Sequence, residues 1–163
     1  MRRLDEKGLT LTEVTLVGVI AVLVVLALTS FYFNSQRTWI ESSTKAVAQR
    51  EGTLIAEHLA QHVRAAGSYG VTEGPDSLHQ TLTLWLAGST EQYKQFTWYA
   101  GDGMVHELDG PLLDDRGPIS SARVERFQLT PIHPGLLELT ALELSSVNGE
   151  RVRLSSRFAL YNR

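Results

Sequence analysis

The chain has 163 residues, contains no cysteine and carries a formal net charge of −3. Its length suits one globular domain with an appendage. The weak acidity offers no basic face for nucleic acid, and the lack of cysteine excludes disulfides and thiolate metal sites.

A charged leader precedes a long apolar run at the N-terminus. The run covers residues 14–33 without a charge, and Glu13 stands at its beginning. As a helix it would be ~30 Å long, the thickness of a bilayer's hydrocarbon core. Because a carboxylate beside hydrocarbon is costly, we interpret Glu13 as a functional residue. The basic residues of the leader predict a cytoplasmic N-terminus, with the rest of the chain outside the inner membrane.

The string GLTLTE at residues 8–13, followed by the apolar run, resembles the class III signal of type IV pilins and pseudopilins. The resemblance implies that prepilin peptidase cuts after Gly8 and removes residues 1–8. It also implies that Leu9 becomes the N-methylated first residue and that Glu13 serves subunit assembly. In that family phenylalanine is usual where Leu9 stands, and an apolar residue is usual where Thr12 stands.

The function that this resemblance implies is that of a minor pilin or pseudopilin. Such a structural subunit helps to initiate or assemble a type IV pilus, or a type II secretion or competence pseudopilus. Its partners would be other major and minor pilins or pseudopilins, prepilin peptidase, the inner-membrane assembly platform and membrane lipid. The subunit would wait as a single-pass inner-membrane protein and then enter the filament. The alternative is a single-span membrane-anchored periplasmic binding or sensor domain, which would keep its leader.

The predicted helix becomes amphipathic after Trp39, so that residues 9–33 would lie in the membrane and residues 34–67 outside it. Apolar residues recur near heptad and i+3/i+4 spacing. We expect the following residues to face a core: Ile40, Val47, Leu54, Leu59, Val63 and Ala66. Gly52 marks either a flexible point or a close packing contact.

The helix is expected to end with Gly67 in the left-handed conformation. The string VRAAGSY at residues 63–69 resembles the helix end of larger minor pilins and of the J-type minor pseudopilin. The string RFALYN at residues 157–162 resembles the C-terminal end of larger minor pilins. Within the resemblance to pilins, these strings favour a minor subunit, as does the lack of cysteine for a C-terminal disulfide.

Beyond Gly74 the apolar period alternates as in β-strands. We predict strands at residues 81–86, 96–99, 104–108, 122–130, 136–144 and 151–160. Residues 110–118 are predicted to be a loop, residues 131–135 a break, and Asn148-Gly149 a hairpin turn. The fold class is therefore α+β, with the long N-terminal helix packed against an antiparallel β-sheet formed by residues 68–163.

The histidines His58 and His62 have a spacing that can hold a metal. Their i, i+4 separation places both on one side of a helix, but no third ligand is evident and the HExxH order is missing. The acidic loop residues match no calcium-binding loop. These residues are Asp102, Asp109, Asp114 and Asp115. Since no catalytic motif occurs, we predict no enzyme activity, no metal and no cofactor.

Overall fold

A computed structural model describes residues 10–74, 78–146, 149 and 151–161 of the chain. Gly8 and Leu9 of the expected cleavage site, and Asn148 of the expected turn, lie outside the described residues. Within these ranges, one helix, α1 (Leu11–Ala65), is followed by eight β-strands. The chain divides into two compact units, Met1–Ser42 and Ser43–Arg163, and the boundary falls inside α1.

The first unit contains the apolar part of α1. Every residue from 10 to 40 is exposed. The helix is long and apolar enough to cross a membrane. Thr15 and Thr29 donate their hydroxyl hydrogens to the carbonyls four residues earlier, each at 2.8 Å. Their polar groups are thus satisfied within the helix, as a lipid environment requires.

The second unit contains the rest of α1 and two antiparallel sheets. The first sheet has the order β1 (Ser68–Glu73), β2 (His79–Trp85), β3 (Gln92–Tyr99), β4 (Met104–Asp109) and β5 (Asp114–Pro118). The second sheet has the order β6 (Val124–His133), β7 (Leu136–Ser145) and β8 (Arg151–Ala159). The predicted α+β class is confirmed, but the strands form two sheets where the sequence suggested one.

The later part of α1 packs against the sheets through small and branched residues. Its buried residues are Ala48, Gly52, Ile55, Leu59, Ala60 and Val63. A Cβ atom on Gly52 would meet the side chain of Leu144 at 2.8 Å and that of Leu154 even more closely. Gly52 is therefore a close packing contact between helix and second sheet, and larger side chains would force the two apart.

Of the six residues predicted to face the core, the last three are buried as predicted and the first three are exposed. Leu59, Val63 and Ala66 are fully buried, whereas Leu54 and Val47 are 45% and 61% exposed. Ile40 is exposed as well. At 3.6 residues per turn, the five-residue step from Leu54 to Leu59 rotates the side-chain direction by about 140°. The apolar residues of α1 therefore form two stripes, and only one of them faces the core.

Gly67 follows the end of α1 but does not adopt the left-handed conformation, so that prediction is wrong. Its N–H donates to the carbonyl of Trp85 at 2.8 Å. A Cβ atom on Gly67 would lie 2.6 Å from the backbone nitrogen of Ala87. Glycine is needed here because the chain after β2 passes directly against it, and no special backbone angle is involved.

Three edge strands differ from the prediction. Strand β1 was not predicted, Asp114–Pro118 forms β5 where a loop was expected, and β6 continues through Pro131 to His133. All three strands lie at a sheet edge. An edge strand has no alternating burial when both faces are exposed, and it tolerates proline because the missing N–H would point away from the sheet. Leu86, expected in β2, lies after its end and is exposed.

The other predicted strands and the β3–β4 and β7–β8 hairpins are confirmed. In β8, Val152 and Phe158 are buried, while the three arginines are exposed as expected. Each arginine meets a glutamate of the same sheet, in the pairs Arg151–Glu125, Arg153–Glu143 and Arg157–Glu138. Exposed pairs of this kind contribute ~0–1 kcal/mol each, so the arginines mainly keep this face polar.

Candidate functional site

Glu13 lies in the first turn of α1, and its carboxylate caps its own helix. Thr10 donates its backbone N–H and its hydroxyl hydrogen to Glu13 Oε2, both at 2.8 Å. The N–H of Glu13 in turn points to Thr10 Oγ1 at 3.4 Å. This reciprocal arrangement is a capping box, which satisfies backbone donors that a helix start leaves unpaired. Sequence analysis identified Glu13 but not its partner Thr10, although the T-x-x-E spacing was available.

A second group of interest lies wholly in the second unit. His58 and His62 of α1 approach Glu107 of β4, and one possible ligand atom from each lies within 4.8 Å of the other two. We call these three residues the His–Glu cluster. The rings of the two histidines have centroids 4.8 Å apart and are nearly perpendicular. All three residues are half-buried, so the cluster is reachable from solvent while its geometry is held by the domain.

Strand β3 supplies the polar partners of the His–Glu cluster. His58 donates from Nε2 to Glu107 Oε2 at 2.7 Å, and Lys94 donates from Nζ to Glu107 Oε1. The ammonium of Lys94 also lies 3.7 Å from a carboxylate oxygen of Asp109. His62 Nδ1 is hydrogen-bonded to the hydroxyl of Tyr93 at 2.6 Å. Each member of the cluster is thus held by at least one hydrogen bond.

Burial and charge shift the acid–base behaviour of this group. Burial lowers the pKa of His62, and the nearby positive charge of Lys94 lowers it further. Burial alone would raise the pKa of Glu107, but hydrogen bonds from Lys94 and His58 outweigh that effect and bring it below its usual value. Burial raises the pKa of the Tyr93 hydroxyl. At neutral pH the cluster therefore combines a neutral His62 with an ionised Glu107.

Sequence reasoning found the two histidines and missed Glu107 and Lys94. The available signal was their position on the inward face of a hairpin. Glu107 lies on the same face of β4 as the buried Val105, and Lys94 lies on the same face of β3 as the buried Phe96. A charged residue rarely occupies a core-facing position unless it has a partner of opposite charge. Two such residues on neighbouring strands predict a buried ion pair, and the i, i+4 histidines then complete the group.

A comparison of the chain with known protein families, with curated proteins and with solved structures gave no match.

Proposed function

We propose that the chain is a minor pilin or pseudopilin, a structural subunit that helps to initiate or assemble a type IV pilus or a type II secretion or competence pseudopilus. The observation that carries this proposal is the apolar part of α1. Its described residues from 10 to 40 are all exposed, and Glu13 stands at its beginning. The Gly8-Leu9 junction in front of it supports processing by prepilin peptidase and methylation of Leu9.

The exposed apolar surface explains why such a subunit moves from membrane to filament. For example, Leu23 is 60% exposed, Val17 is 64% exposed and Phe31 is 72% exposed. Contact with lipid tails or with neighbouring apolar helices removes this surface from water, and both environments are dry. The subunit therefore needs lipid before assembly and the helices of other pilins or pseudopilins afterwards.

Glu13 would select the position of the subunit among those helices. In the single chain its carboxylate is paired with Thr10, inside its own helix. In a filament core a carboxylate without a positive partner would cost several kcal/mol, and a nearby cation offsets part of this cost. The N-terminal amine of an adjacent subunit is the expected partner. Such a pair tolerates little sliding in hydrocarbon, so it would set the axial register between subunits.

The second apolar stripe of α1 supports contacts outside the membrane. Val47 and Leu54 are exposed on the side of the helix that faces away from the core. A groove of about 500 Å³ lies beside this stripe, lined by Val47, Ala48, Ala122 and polar residues. We infer that this face contacts other pilins in the assembled complex.

Processing of the N-terminus tests the proposal. Protein isolated from filaments or from membranes should begin with methyl-leucine at Leu9, as measured by intact mass and N-terminal peptide mass. A Gly8→Val variant should keep its leader, because a side chain obstructs the approach of the peptidase to the backbone. An intact Met1 on filament-incorporated protein would contradict the proposal and favour an anchored binding or sensor domain. Deleting the gene and scoring pili, protein secretion and DNA uptake together would identify the system.

A further inference from the structure

We propose that the His–Glu cluster is a binding site for one Zn²⁺ ion or a similar divalent transition metal. Two imidazoles and one carboxylate are a ligand set that zinc uses in proteins, with a fourth position left for water. The three ligand atoms lie within 4.8 Å of one another. Ligand bonds of ~2.0–2.2 Å in a tetrahedron place these atoms about 3.3 Å apart, so the cluster has to close by about 1.5 Å at most. Rotations of the half-buried side chains are enough for that change.

The hydrogen bonds around the cluster already orient two of the ligands. With Nδ1 of His62 donating to the Tyr93 hydroxyl, Nε2 keeps its lone pair for a metal. Lys94 holds Oε1 of Glu107, so Oε2 is the oxygen that turns to the ion. Outer partners of this kind fix the ring or carboxylate and increase metal affinity.

His58 has to change its tautomer when the ion binds. It now donates from Nε2 to Glu107 Oε2 at 2.7 Å. In the metal-bound form the proton resides on Nδ1, after exchange through water, and the lone pair of Nε2 faces the metal. The Nε2–Oε2 separation then opens from 2.7 Å to about 3.3 Å, as two ligands of one ion require.

A bound ion would link α1 to β4 within the second unit. His58 and His62 lie on the helix, while Glu107 lies in the first sheet. The link would join elements that are otherwise held by apolar contacts and by the His58–Glu107 hydrogen bond. The inference does not depend on the proposed assembly function.

The experiment uses the full chain in detergent micelles, stripped with EDTA and then titrated with ZnCl₂ in a calorimeter. We expect one Zn²⁺ per chain. Co²⁺ in place of Zn²⁺ should produce the visible absorption of a tetrahedral site. His58→Ala, His62→Ala and Glu107→Gln should each weaken binding by more than the roughly 10- to 100-fold caused by losing an outer hydrogen bond. Tyr93→Phe should fall within that smaller range.

His106→Ala is the matched control. His106 lies in the same hairpin, with Asp102 at 2.8 Å and Asp115 at 3.7 Å, so it represents a histidine near two carboxylates outside the cluster. This variant should bind Zn²⁺ like the unchanged protein. Circular dichroism confirms that each variant is folded, and the Co²⁺ spectrum of the unchanged protein is independent of any variant. Absence of binding, an octahedral Co²⁺ spectrum, or loss of binding in His106→Ala alone would overturn the proposal.

Discussion

Gln80 and Leu129 join the two sheets through a pair of hydrogen bonds. The side-chain amide of Gln80 in β2 donates to the carbonyl of Leu129 in β6 at 3.1 Å and accepts from its N–H at 2.6 Å. Gln80 is only 3% exposed. Its amide therefore takes the place of a neighbouring strand at the point where the sheets meet. The indole of Trp98 adds a similar bond to the carbonyl of Val124 at 3.1 Å.

Replacing Gln80 with leucine should destabilise the second unit by about 2–4 kcal/mol. The change leaves the N–H and carbonyl of Leu129 buried without partners, and each unsatisfied group costs ~1–3 kcal/mol. Urea unfolding followed by tryptophan fluorescence measures the effect. Gln95→Leu, on the half-buried outer side of β3, is the control and should change the free energy of unfolding by less than 1 kcal/mol. Equal effects would show that the bridge to Leu129 adds nothing specific.

A shortened chain that begins at Gln36 should fold without added metal. The core is built by apolar residues of α1 and both sheets, with Ile55, Leu82 and Phe158 almost fully buried. Circular dichroism of this chain in EDTA should show helix and strand together and a cooperative thermal transition. A spectrum that is helical throughout would contradict the expected architecture, whereas unfolding when the metal is chelated would contradict the expectation that the fold needs no metal.

Leu59→Ala and Leu54→Ala should have very different effects. Leu59 is fully buried, so its truncation should cost about 2–5 kcal/mol. Leu54 is 45% exposed, and its truncation should cost less than about 1 kcal/mol. Chemical unfolding of both variants measures this difference. If the exposed stripe contacts other subunits, Leu54→Ala should nevertheless reduce co-purification with partner pilins, while a normal yield would remove the stripe from the proposed interface.

Acid should weaken the second unit in two steps, measured in EDTA. In the unfolded chain His62 binds a proton below about pH 6.5, but its lowered pKa keeps it neutral in the fold, so stability falls as the pH decreases below that value. The lowered pKa of Glu107 adds stability that is complete above about pH 4.3 and is lost as the pH falls through its folded value. His62→Gln should remove the first step. His133→Gln, at an exposed position, should leave it unchanged.

Removing the ammonium that faces Glu107 should be costly. Lys94 and Glu107 have side chains only 11% and 14% exposed. Breaking such a buried pair costs ~3–5 kcal/mol, because the remaining charge loses its partner. Lys94→Met should therefore lower the free energy of unfolding by several kcal/mol at pH 7. The double variant Lys94→Met/Glu107→Gln should recover part of this loss, and failure to recover any would indicate that packing rather than charge dominates.

Glu13→Ala should leave membrane insertion and cleavage at Gly8-Leu9 largely intact but weaken recruitment into the filament complex. The apolar part of α1 is unchanged, whereas the carboxylate for the neighbouring amine is lost. Co-purification with partner pilins and the N-terminal mass of the variant measure both properties. Glu41→Ala, which breaks the exposed Arg37–Glu41 pair of the same helix, is the control. Normal incorporation of Glu13→Ala would remove the charge-pair mechanism, and loss of cleavage alone would assign Glu13 to peptidase recognition.

Local patterns were sufficient for the long helix, the candidate membrane span and the strands with one buried face. A continuous apolar run, an i+3/i+4 period and strict alternation each arise from the geometry of a single element. The hairpins followed as well, because the residues that form them are close in sequence. In contrast, β5 lies at a sheet edge, where exposure on both faces leaves no alternation to detect, and β1 is a short edge strand whose Tyr69 and Val71 are only half-buried.

Contacts between distant segments were needed for the rest. Leu54 and Leu59 are both leucines on one helix, and only the position of the sheets makes one of them core. Position 67 requires glycine because the backbone of Ala87 lies directly against it. The residues next to Gly67 in the sequence do not reveal this contact. Glu107 reaches His58 across 49 residues, and hydrogen bonds of this kind depend on how sheet and helix pack. Local geometry sets the elements, whereas packing decides which of their faces meet.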